Sequence, residues 1–122
     1  MTLQELYQNM EGDYDQALRV LRMDRLVDKH IRKFPQNISM DELIAAKEDL
    51  NPERLFDSSH ALKGICASLG LKGIADIATE ISDEFRPGSS RKMTDEEVVA
   101  KIEQIARLYQ KAKEEILRYS QS

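Results

Sequence analysis

The chain has 122 residues, enough for one domain with a single modest core. Its 33% charged residues beside 41% hydrophobic ones, with 6% aromatics and three prolines, suit a helical protein whose polar faces carry mixed charge. A net charge of -4 argues against broad binding to nucleic acid or acidic membrane, and a lone cysteine, Cys66, rules out an intrachain disulfide framework or a multi-cysteine zinc site.

Start signals for helices recur along the chain. Thr2 with Glu5 and Asp13 with Gln16 resemble capping boxes, opening short helices near 3–10 and 14–22. Asp24 is the expected cap of a third helix ending at Phe34, where Pro35 removes a donor and disfavours helix at the residue before it. Ser39 with Glu42 predicts a fourth near 40–49. Asn51 followed by Pro52 is a cap and first-turn pair for a helix over about 52–69, which Gly70 is placed to end. Leu71 to Phe85 follows. Arg86-Pro87-Gly88-Ser89-Ser90 reads as a loop, and Thr94 with Glu97 caps a last helix to about Tyr119.

The long segments carry helical apolar stripes. Leu71, Ile74, Ala78, Ile81 and Phe85 form one, and Val98, Ile102, Ile105, Tyr109, Ala112, Ile116 and Tyr119 another. No alternating strand pattern, domain-scale linker or repeat is visible. The expectation is an all-α protein, a single domain over 1–122, built as an antiparallel four-helix bundle with additional short N-terminal helices. No leader segment and no uncharged run approaching about 18 residues is apparent, so no membrane association and a cytoplasmic location are expected.

The 52–69 helix carries the chemistry. At about 100° per residue, Leu55, Leu62, Cys66 and Leu69 form its buried stripe and His60 points away, toward water. Lys63, Gly64 and Ala67 fall within about 60° of His60, giving an imidazole, a cation and two minimal side chains on one exposed patch. Mid-helix glycine costs about 1 kcal/mol relative to alanine, so Gly64 suggests that something must approach the backbone closely. A largely neutral imidazole can attack a phosphoryl group. Lys63, one turn away, can supply a point charge to phosphoryl oxygens. The patch therefore suits transient phosphorylation of the ring by a partner that brings the remaining machinery.

His60-Ala61-Leu62-Lys63-Gly64 followed by Leu69-Gly70 resembles the His-x-Leu-Lys-Gly-x-x-x-x-Leu-Gly signature of histidine-containing phosphotransfer (HPt) domains. The likeness extends over nearly the whole chain. Gly12-Asp13-Tyr14 and Phe34 also resemble the N-terminal part of small stand-alone bacterial members. Ile65, where a small or polar residue is common in relatives, departs from the pattern.

The resemblance implies a phosphocarrier in a two-component phosphorelay, not an enzyme with its own ATP site. By the same resemblance, His60 accepts and donates the phosphoryl group, Lys63 stabilises it, and Gly64 leaves room for a receiver domain; the helical count adds Ala67 as a partner-binding position on the same low surface. The implied partners are receiver domains of a hybrid histidine kinase and a response regulator. Magnesium would be bound by the receiver, and no cofactor or metal by this chain.

Other readings of the residues are plainer. Cys66 reads as a small buried hydrophobe, and His30 as a structural or surface residue. Asp57-x-x-His60 is half of a carboxylate-bridged dimetal pattern whose other half is missing. The alternative from another class is a helical interaction module that passes no phosphate, with the 94–119 stripe as a dimer seam. A monomer is the expectation, since one chain can bury that stripe itself.

Overall fold

A computed structural model describes residues 1–121, and among these the secondary structure is helical throughout. The elements are α1 (Leu3–Asn9), α2 (Tyr14–Leu21), α3 (Asp24–Lys33), a 3-10 turn (Phe34–Gln36), α4 (Ile38–Ala45), α5 (Pro52–Ser68), α6 (Lys72–Glu84) and α7 (Asp95–Gln121). In α4 to α7, each helix packs on the next and α4 closes back onto α7, forming a bundle. The first three helices add a collar: α1 and α3 lie on α7, and α2 lies on α5.

Most starts follow the expected cap chemistry. Thr2 and Glu5 form a reciprocal box, as do Thr94 and Glu97, and the Asp13 carboxylate accepts from the Gln16 amide at 3.0 Å. The Asn51 side chain accepts from the Arg54 amide at 3.0 Å, with Pro52 in the first turn.

Two caps differ from expectation. Met23, extended at φ -136°, precedes the first helical residue of α3, and Asp24 lies inside the helix, its carboxylate accepting from the Tyr14 hydroxyl at 2.5 Å. The chain enters α3 from Arg22 in the left-handed region (φ 72°), so extended geometry falls on Met23 and a capping position is denied to Asp24. Asn37, not Ser39, caps α4, accepting from the Met40 amide at 2.8 Å. The 3-10 turn at Pro35 leaves Asn37 extended, which starts α4 at Ile38. This helix also ends at Ala45, short of 49: the Lys47 and Glu48 amides bond three residues back, to the Ile44 and Ala45 carbonyls at 3.2 and 3.4 Å, and the chain then turns through Leu50 (φ 51°), whose amide donates to the Ala46 carbonyl at 2.9 Å.

The core joins the stripes. Leu55, Leu62 and Cys66 of α5 and Ala78 and Ile81 of α6 are fully enclosed with Val98, Ile102 and Ile105 of α7. All seven residues of the α7 stripe are buried within the single chain, so the surface that a dimer seam would need is already covered. Polar ties fasten the collar. The Tyr7 hydroxyl donates to the Leu69 carbonyl at 2.6 Å, the Asp13 amide donates to the Gly70 carbonyl at 2.7 Å, and the Tyr119 hydroxyl donates to Asp28. Tyr109 donates to the Pro35 carbonyl at 2.8 Å and packs edge-on against Phe34, holding the 3-10 turn on α7.

Glu84, at the end of α6, holds the loop before α7. Its Oε2 accepts from the Lys92 and Met93 amides at 2.9 and 2.7 Å and faces Arg91 Nε at 3.4 Å. Burial alone would raise this carboxyl, but the two amides and the guanidinium outweigh it and hold the group below the usual carboxylate range.

Candidate functional site

α5 runs unbroken for 17 residues through Gly64. Its inward face is the expected stripe plus Ser58 and Ser59, both buried, whose hydroxyls donate to the carbonyls of Arg54 and Leu55 one turn back at 2.7 and 2.5 Å. They stand three and four residues from Leu55 and Leu62, a spacing that already assigns them to the core face.

The opposite face is the candidate site. His60, Gly64 and Ala67 are exposed and Lys63 is half-buried, so all four lie together as the helical count requires. A β-carbon built on Gly64 would meet nothing within 4 Å, so its missing side chain serves neither helix packing nor a positive φ. Gly70 is the converse. Its φ is +71°, and a β-carbon there would lie 2.1 Å from the Asp13 carbonyl oxygen.

Among the described residues, no hydrogen bond or ion pair engages the imidazole nitrogens of His60 or the Lys63 ammonium. The ring contact of His60 is Phe56, one turn back, with centroids 5.2 Å apart and planes inclined by 19°. Arg86, from the loop after α6, places its guanidinium 5.9 Å from the Phe56 centroid. Sequence reasoning missed both residues. Phe56 was reachable from its four-residue spacing to His60, whereas Arg86 arrives only through tertiary packing.

A groove of about 400 Å³ opens on the Gly64 side of this face, between α5 and the α2, α3 and 3-10 segments. Leu21, Phe34, Ile65 and Leu69 give it an apolar lining, and His30 and Lys33 supply its titratable groups. Ile65, which departs from the family pattern, stands in this groove, 38% exposed. His30 is a surface residue, as expected, but one that lines the groove.

Burial pushes the Cys66 thiol up to about 12, so it stays protonated and poorly nucleophilic at neutral pH. Among the described residues, no group of three or more His, Cys, Asp or Glu side chains could hold a metal ion, and no helix is long and apolar enough to cross a membrane.

A family model described as Hpt domain matches residues 2–115. Comparisons with curated proteins and with solved structures gave no match. The matched span runs from the collar through most of α7 and includes the whole His60 face, and the helical bundle is the architecture such a domain requires. The chain belongs to the Hpt domain family, whose members are phosphocarriers in histidine phosphotransfer and phosphorelay.

Proposed function

We propose that this chain carries phosphoryl groups between a receiver domain of a hybrid histidine kinase and that of a response regulator, with His60 as the acceptor and donor. The observation that carries this reading is the open space over Gly64 beside an exposed imidazole whose nitrogens meet no hydrogen-bond or ion-pair partner among the described residues. A neutral ring nitrogen attacks the phosphorus of a receiver aspartyl phosphate. The N–P bond forms as the P–O bond breaks, and the electron pair leaves with the aspartate carboxylate. The reverse sequence loads the next receiver.

The chain's own residues have limited tasks. Lys63, without an ion pair among the described residues, supplies positive charge to the phosphoryl oxygens. Gly64 and Ala67 keep the surface low enough for the receiver to bring its aspartate in line, and the adjoining apolar groove offers area for docking. Magnesium is contributed by the receiver. The carrier works as a monomer in the cytoplasm, a reading supported by the burial of the α7 stripe and the absence of a membrane-crossing helix among the described residues.

Incubation with purified receivers charged by acetyl phosphate is expected to label the chain in an acid-labile way, and His60→Gln is expected to abolish the label. Undiminished labelling of that variant would overturn the assignment of His60.

A further inference from the structure

The stack behind His60 has no part in the phosphotransfer signature. Phe56 is half-buried and lies nearly parallel to the imidazole, in the range where aromatic pairs attract. Arg86 reaches the Phe56 ring within cation–π distance, and Asp83 holds that guanidinium at 3.1 Å. The start of α5 and the end of α6 thus meet in a row of Asp83, Arg86, Phe56 and His60. Asp83 balances the arginine charge, so the row presents little net charge to the imidazole.

Two consequences follow for the ring. A stacked imidazole loses much of its freedom to rotate, yet its nitrogens lie at the ring edge and stay open to a phosphorus approaching in the ring plane. When a ring nitrogen gives its lone pair to phosphorus, the ring becomes positive until the proton on the other nitrogen leaves to water. A π face against the ring stabilises that charge.

We propose that Phe56, braced by Arg86, is a positioning residue for His60: it fixes the imidazole plane for in-line attack and stabilises the charge that develops on the ring. This rests on His60 being the phosphoryl acceptor.

The test uses the full chain and a charged receiver that transfers to it. Phe56→Leu is expected to slow the first-order transfer step by about three- to tenfold, with little change in the receiver concentration giving half-maximal rate. Phe56→Tyr, which keeps the ring, is expected to restore the rate. In NMR spectra without any partner, the His60 ring protons should share one ring-current shift in the wild type and Phe56→Tyr, and lose it in Phe56→Leu. Arg86→Gln, at an exposed side chain, should slow transfer about twofold and reports on the stack even if Phe56→Leu folds poorly. A wild-type transfer rate in folded Phe56→Leu, or in Arg86→Gln where Phe56→Leu folds poorly, would overturn the proposal. His60→Gln run alongside separates the two failures. If it keeps the label, the acceptor assignment falls and this proposal with it; if it loses the label while the stack variants match the wild type, the stack proposal alone falls.

Discussion

Gly64 and Gly70 stand six positions apart, within and just beyond one helix, and their surroundings are opposite. Gly70 has a left-handed backbone and a carbonyl from the collar where a side chain would be, so its identity is required by the fold. Gly64 has an ordinary helical backbone and empty space, and its helix would be more stable with alanine. A residue that costs stability and fills no packing need points to what happens outside the chain. Glycine at 70 explains how the bundle is held; glycine at 64 explains what the bundle presents.

The sharpest way to break this contrast is to add a methyl group at each position. Gly70→Ala must either displace Asp13 or strain φ, and is expected to destabilise the chain by about 3–4 kcal/mol in urea unfolding. A loss below about 1 kcal/mol would remove the fold role assigned to Gly70.

Glu84→Gln probes a second purely structural tie and is expected to cost about 1–2 kcal/mol near neutral pH. The folded carboxyl sits below its ordinary value of 4.5, so its contribution is complete above that pH and disappears as pH falls through the folded value. Stability of the wild type should therefore fall more steeply than that of Glu84→Gln in the acid window below about pH 4.5. Parallel acid profiles would contradict the assigned role.

Tyr7→Phe removes the hydroxyl bonded to the Leu69 carbonyl and should cost about 1 kcal/mol, with transfer by the folded protein unchanged. The smallest stability effect has the opposite sign. Gly64→Ala should stabilise by about 0.5–1 kcal/mol, while Gly64→Gln should leave the fold intact and slow transfer from a receiver. Normal transfer kinetics for Gly64→Gln would count against the clearance argument.

Much of this contrast was legible in the sequence because a helix turns by a fixed angle. That angle alone groups His60, Lys63, Gly64 and Ala67, and separates them from Leu55, Leu62 and Cys66. Caps were legible where the cap residue came with a second local signal, as at Thr2 with Glu5, Asn51 with Pro52 and Thr94 with Glu97. They were misread where backbone geometry set upstream decided the matter. The left-handed Arg22 and the 3-10 turn at Pro35 moved the starts to Met23 and Asn37. The groove beside Gly64 and the reach of Arg86 to Phe56 depend on how helices distant in sequence lie together, and no local spacing encodes that. Likewise, Gly70 was expected only to end a helix, because the approach of Asp13 is a tertiary contact.

Locating the phosphoryl group within the loaded protein tests the central claim most directly. The chain holds two histidines, His30 lining the groove and His60 beside the open glycine. After loading from a receiver, fragmentation mass spectrometry at neutral to alkaline pH should place the phosphoryl group on His60. A phosphoryl group on His30, or on neither histidine, would contradict the account.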